Sequence, residues 1–178
     1  MTFDREKFKN LVHYVIHQAG DRDGFGATKL YKVLWFSEAR CFVLDGKPIA
    51  GATYIREKHG PIPRLGMAVR EELASEKCIQ QWKAPVYNHE GWRLKSIKSP
   101  YPLKLSNREK QCVDFWISHI DKDHTATSIS EESHDYAWEI ADMGETLPMH
   151  AILSERTRRP IKESLDWAKE RAKELGLI

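Results

Sequence analysis

Only three cysteines occur in the 178 residues, Cys41, Cys78 and Cys112, and no two have C-x-x-C spacing. An odd, dispersed set argues against a disulfide framework and against a structural zinc knuckle. Each sits among apolar neighbours, so all three read as small core residues of a protein in a reducing cytoplasm. An excess of one charge is also lacking: Lys plus Arg number 28 and Asp plus Glu 26, a formal net charge of +2. That balance excludes the uniformly basic footprint of a histone-like protein, though not a local basic patch. No apolar run approaches the ~20 residues that span a bilayer. The charged start from Met1 to Lys7 has no apolar stretch behind it, so neither a membrane segment nor a signal peptide is expected. Internal repeats and low-complexity tracts are absent as well.

What remains is 41% hydrophobic and 30% charged, enough apolar material for a core. Phe8, Leu11, Val12, Val15, Ile16 and Ala19 recur at helical spacing, and Gly20 closes that helix. A second helix is expected with Thr28 as its cap and Leu30, Val33, Leu34 and Cys41 inward. Trp35, Phe36 and Phe42 widen its apolar surface to nearly all sides, the mark of a central helix. Gly46-Lys47-Pro48 ends it. Ala52 to Ile55 reads as extended, and Gly60-Pro61 breaks the chain before a third helix carrying Ile62, Leu65, Ala68, Val69 and Leu73. Two strands, Cys78 to Lys83 and Trp92 to Ile97, flank a turn at Asn88-His89-Glu90-Gly91, with Pro85 limiting their pairing. Ser106 and Glu109 have capping-box spacing ahead of Cys112, Val113, Trp116, Ile117 and Ile120. Ser128 or Ser130 starts a shorter helix bearing Ser133, His134 and Trp138. Pro160 opens a last one with Ile161, Leu165, Ala168, Ala172 and Leu175 inward. The expected fold is mainly α: a compact helical domain over residues 1–155 with one small β-hairpin in a winged-helix-like order. An amphipathic C-terminal helix, residues 156–178, packs on the same domain.

The constellations that could carry chemistry are incomplete. His13 and His17 share a helix face, but a zincin needs Glu where Tyr14 stands. Asp21-Arg22-Asp23-Gly24 starts like a calcium loop, yet its twelfth position is Lys32. His119, Asp121, Asp123 and His124 cluster in sequence and read as a solvated helix end. No Gly-x-Ser-x-Gly or phosphate loop is found. No catalytic residue, cofactor or metal is therefore expected. Charge is nonetheless uneven: Lys83, Arg93, Lys95, Lys98, Lys104, Arg108 and Lys110 make a basic segment. Asp121, Asp123, Glu131, Glu132, Asp135, Glu139, Asp142 and Glu145 make an acidic one. A winged-helix-like DNA binder acting as an autorepressor would use Arg70, Lys83, Arg93, Lys95 and Lys98 on phosphates. Against it, the third helix offers few side chains that read bases, and Glu71 and Glu72 would face phosphate.

Three segments together resemble the Panacea domain of the SocA-like antitoxins and the phage-associated GepA-like proteins. Thr28-Lys29-Leu30-Tyr31-Lys32-Val33-Leu34-Trp35-Phe36 is similar to that family's K-L-x-K-L-L-Y/W-F helix. Gly46-Lys47-Pro48-Ile49 followed by Lys58-His59-Gly60-Pro61-Ile62 is similar to its small-Lys-Pro turn and Gly–Pro knuckle, with His59 where Tyr is frequent. Ser133-His134-x-x-x-Trp138 is similar to its Ser/Thr-His-x-x-x-Trp motif. The resemblance spans roughly residues 8–150. It implies a non-catalytic cytoplasmic antitoxin that neutralises a cognate toxin by direct protein–protein binding, with no membrane or specific nucleic-acid partner and with a homo-oligomer left open. The candidate partner-binding residues are Lys29, Lys32, Lys58, His59, Glu131, Glu132, His134, Asp135 and Trp138. Against this stand plainer readings: the lysines border the buried stripe, His134 and Trp138 form a packing pair, and Gly60-Pro61 is structural.

Overall fold

The computed structural model describes residues 2–86, 89–101, 104–155, 171 and 173. The helix expected from Pro160 onward lies outside the described residues. Elsewhere the chain runs α1 (Arg5–Ala19), α2 (Ala27–Asp45), β1 (Tyr54–Glu57), β2 (Gly60–Pro63), α3 (Gly66–Ser75), β3 (Ile79–Val86), β4 (His89–Ser96), α4 (Asn107–Asp123), α5 (Ala126–Glu132) and α6 (Tyr136–Ile140). A 3₁₀ turn at Met149–Ala151 then leads into α7 (Ile152–Glu155). The architecture is mainly α with a small β component, as the periodicity predicts.

Helix α1 starts where the Asp4 side chain accepts from Lys7 N at 2.9 Å, and it buries the stripe from Phe8 to Ala19. Its end at Gly20 is set by space. A Cβ there would stand 2.6 Å from Ile16 O and 2.9 Å from Leu94 O, so only glycine lets β4 pass this close. Helix α2 is central, touching α1, α4, α5, β2 and β4. It begins two residues earlier than the Thr28 cap suggests, with Gly26 at its N-cap. Backbone rather than side chain decides that start: Gly26 bridges to Arg93 of β4, and a Cβ would meet Trp92 O at 2.7 Å. Gly46 closes α2 in the left-handed conformation, φ 72°.

Two hairpins occur where one was expected. Beyond β3–β4, the chain from Tyr54 to Pro63 folds back on itself, pairing Tyr54 with Pro63 and Glu57 with Gly60 around a Lys58–His59 turn. Ile62 therefore lies in β2 and not in α3. Pro63 follows it directly, and the residue before a proline is driven out of the helical region. In β3–β4 the ladder continues past Pro85, which pairs opposite Glu90, and His89 to Gly91 belong to β4 rather than to a turn. A two-stranded ribbon gives each strand a free edge, where a missing N–H costs nothing.

The second half also departs from the one-helix expectation. Ser106 and Glu109 form the capping box of α4. Thr125, not Ser128, caps α5, accepting from Ser128 N at 3.1 Å. The chain then breaks at Ser133–Asp135, and Asp135 caps a separate α6. All three cysteines are free, with Cys41 and Cys112 buried.

One buried acid ties the first half together. Glu38, fully buried on α2, accepts from Ala50 N (3.0 Å), Gly51 N (3.4 Å) and Ala52 N (3.3 Å). Burial pushes its pKa up, and those amides pull it part of the way back. Glu38→Ala should therefore destabilise the fold by about 3 kcal/mol or more in urea unfolding, because several buried N–H groups lose their acceptor. A loss below about 1 kcal/mol would show that the 50–52 loop is held by something else.

Candidate functional site

Three of the resemblance motifs meet at one point, and a buried lysine is at its centre. Lys32, on the face of α2 toward β2, is 1% exposed. Its ammonium donates to Pro61 O at 3.1 Å. Burial pushes its pKa down to about 7, opposed by the negative charge of Asp135. The turn fits over it because residue 60 is glycine. Gly60 has φ +89°, and a Cβ there would stand 2.1 Å from Ser133 Oγ and 2.6 Å from Lys32 Nζ. Backbone conformation and close packing thus both demand glycine.

The α5–α6 corner closes the other side. Ser133 is fully buried and donates to Ser130 O at 2.6 Å. Asp135 is buried and spends its carboxylate twice, accepting from Trp35 Nε1 at 2.7 Å and from Trp138 N at 3.0 Å. Trp138 donates its indole N–H to Glu57 O at 3.0 Å. The His134 ring stacks on it at 3.8 Å between centroids, 13° from parallel, and the Arg56 guanidinium lies 3.9 Å from the same ring. Two groups that close cannot share one face, so Trp138 is the middle layer of an arginine–indole–imidazole stack. Arg56 also donates to Ala141 O at 2.5 Å. Burial, then the charges of Lys32 and Arg56, push the His134 pKa down, which favours the neutral ring. Its Nε2 is buried without a protein partner among the described residues.

This geometry sorts the sequence candidates. Of the candidate partner-binding residues, Lys29, Lys32 and Asp135 are buried. Burial likewise lowers the Lys29 pKa, partly offset by Asp121. His134 and Trp138 are a packing pair, though they sit on either side of a helix break rather than on one helix. Lys58, His59, Glu131 and Glu132 are exposed around this joint, with Glu132 turned to His124 at 3.2 Å. The joint uses two residues that sequence reasoning missed, Arg56 and Trp35. The signal for Trp35 was available: a tryptophan on a helix buried on all sides must find an acceptor for its N–H.

Four cations of the basic segment have partners on the protein's own surface. Lys83 pairs with Glu90 (3.3 Å), Lys95 with Asp21 (3.1 Å) and Arg108 with Asp45 (3.7 Å), while Lys98 donates to Glu76 O at 3.1 Å. Arg70, expected on phosphate, is instead 2% exposed, its guanidinium 5.5 Å from the Tyr31 ring and 5.4 Å from the Trp92 ring. Placing it on α3's inner face removes it from any groove. His13 and His17 both reach Ser96 Oγ, at 3.1 and 3.3 Å, and His13 also contacts Lys98 O at 2.9 Å.

The lowered Lys32 pKa has a sign that can be measured. Between about pH 7 and the ordinary lysine value, the unfolded chain holds a proton that the folded one releases. Stability should then rise with pH across that window, by at most about 1.4 kcal/mol per pH unit. Lys32→Met should remove this slope from urea titrations at pH 7 to 9.5, with other titrating groups cancelling in the comparison. Equal slopes in the two proteins would mean that Lys32 keeps its proton when folded.

The family model described as antitoxin SocA-like, Panacea domain, matches residues 30–139. The match opens inside α2 and ends inside α6, so it contains Lys32, Glu38, the β1–β2 hairpin and the Ser133–Trp138 corner. No curated protein and no solved structure matches the chain. The chain belongs to the SocA-like antitoxin family that carries the Panacea domain.

Proposed function

We propose that this protein is a non-catalytic antitoxin that neutralises a cognate toxin by direct binding, through the face around the Lys58–His59 turn and the α5–α6 corner. The observation that carries the reading is the family match, whose span coincides with this joint. Supporting it, Lys32, Asp135 and the Trp35 and Trp138 indoles of the joint have partners within the protein, which suits a rigid scaffold better than an open reaction centre. Around it the surface is acidic and partly apolar. Glu131, Glu132, Glu139, Asp142 and Glu145 are exposed, and Ile140 and Met143 are 50% and 60% exposed beside them. A toxin acting on nucleotides or tRNA needs a basic surface for its polyanionic substrate. Acidic groups would steer onto that surface and apolar ones would anchor the complex. Trp138 supports this face from within; the anchors are the exposed residues of and after α6.

The DNA-binding alternative draws on the basic β3–β4 segment and the residues after it, in which Lys83, Lys95 and Arg108 already face carboxylates. It predicts retardation of the protein's own promoter fragment with a steep loss of affinity on added salt.

Charge reversal at the acidic face tests the main reading. Glu131→Lys with Glu139→Lys changes two exposed side chains and should leave the circular dichroism and melting temperature near those of the parent. Association with the toxin encoded by the neighbouring reading frame should slow about tenfold at low salt, and rescue of toxin-expressing cells should weaken. Asp135 is unsuitable for such a test, since its loss would unpair Trp35 and uncap α6. Unchanged rescue by the folded double variant would move the contact to Lys58 and His59.

A further inference from the structure

We propose that His119, His124 and Glu132 form a binding site for one divalent transition-metal ion of the zinc type, at the corner where α4 turns into α5. His119 lies just before the last turn of α4, His124 is its C-cap, and Glu132 ends α5. Sequence spacing grouped the two histidines with Asp121 and Asp123 and missed Glu132, which only the fold brings near. Asp121 is drawn away, paired with Arg22 at 2.8 Å.

The donor atoms converge as a metal requires. Nε2 of His119 and Nε2 of His124 are 3.4 Å apart, His124 Nε2 is 3.2 Å from Glu132 Oε2, and all three ligand atoms lie within 4.8 Å of one another. Nitrogens bound at about 2.0–2.1 Å on two corners of a tetrahedron stand roughly 3.3–3.4 Å apart, so the imidazole pair already has the edge length of a zinc site.

The far side of each ring is held as well. His119 Nδ1 is 3.0 Å from Asp123 Oδ2. A carboxylate only accepts, so Nδ1 carries a proton, which leaves Nε2, turned to the convergence point, as this ring's ligand atom. His124 Nδ1 is 3.2 Å from Ser128 Oγ. His124 Nε2 faces both the Glu132 carboxylate and His119 Nε2, which can only accept from it, so without an ion it carries the proton they share, and a bound cation takes that proton's place. A carboxylate or hydroxyl behind each ligating imidazole is the usual support of a histidine metal site. Trp116, 5.4 Å from His119 between ring centroids, gives the site an apolar wall. Three protein ligands of the histidine–histidine–carboxylate kind favour zinc over magnesium or calcium, which take oxygen ligands. A bound ion would clamp the end of α4 to the end of α5, directly before the Ser133–Asp135 corner.

The test uses the untagged full-length protein, stripped with chelator and titrated with Co(II) and, separately, Zn(II). One equivalent should bind with low-micromolar or better affinity. The cobalt form should show the visible bands of tetrahedral coordination, and the melting temperature should rise with metal concentration. His119→Gln with His124→Gln should abolish binding, and Glu132→Gln should weaken it at least tenfold. Asp123→Asn, which touches no ligand position, should weaken it about tenfold through His119. His150→Gln should bind as the parent does. Absence of stoichiometric binding to the folded parent would overturn the proposal, as would undiminished binding by the double histidine variant. The outcome is independent of toxin binding, since no toxin is present.

Discussion

Helix α2 is covered on nearly every side, yet it carries ionisable groups. A charge inside a protein must be met by dipoles or opposite charge, or give up its ionisation. That constraint shapes the loops around the helix. Glu38 gathers the amides of residues 50–52, and Lys32 takes the carbonyl of Pro61 with Asp135 beyond it. Each loop adopts the conformation that brings its backbone to a buried side chain. The order is therefore inward to outward: the central helix specifies its polar partners, and these specify the turns that bear the exposed residues.

The helices were legible because periodicity and caps are local. The stripe of α1, the glycine end of α2 and the capping box of α4 follow from spacing alone. The β1–β2 hairpin was not, since its strands are four residues each and its pairing is a matter of where two segments meet. Ile62 shows the error: its spacing suits α3, while Pro63 forces it to be extended. The site was half legible. The motif residues do converge, but the sequence could not say that Lys32 and Asp135 face inward. A lysine on an apolar stripe ordinarily carries its head out to water. Arg56 gave no signal at all, because its role depends on a tryptophan far along the chain.

The joint around Trp138 unites short-range and long-range order. Asp135 caps α6 locally and reaches Trp35 across the core, so the start of a five-residue helix is fixed by the centre of the protein. A helix so short has little stability of its own. Its position comes from the stack of Arg56, Trp138 and His134 and from the bond to Glu57 O. Family membership then has a physical content: the shared motif residues build the joint, and the exposed ones around it differ in kind, being free of that duty.

The Lys58–His59 turn illustrates what this division permits over evolutionary time. Its flanks are immovable, because Gly60 is wedged against Ser133 and Lys32, and Glu57 O is held by Trp138. The two residues at its tip, Lys58 and His59, are exposed. Mutation can therefore sample side chains at the tip almost without loss of fold, while the backbone that presents them stays in register. Drift at such a position is cheap, so one inherited framework can present many different surfaces at this turn.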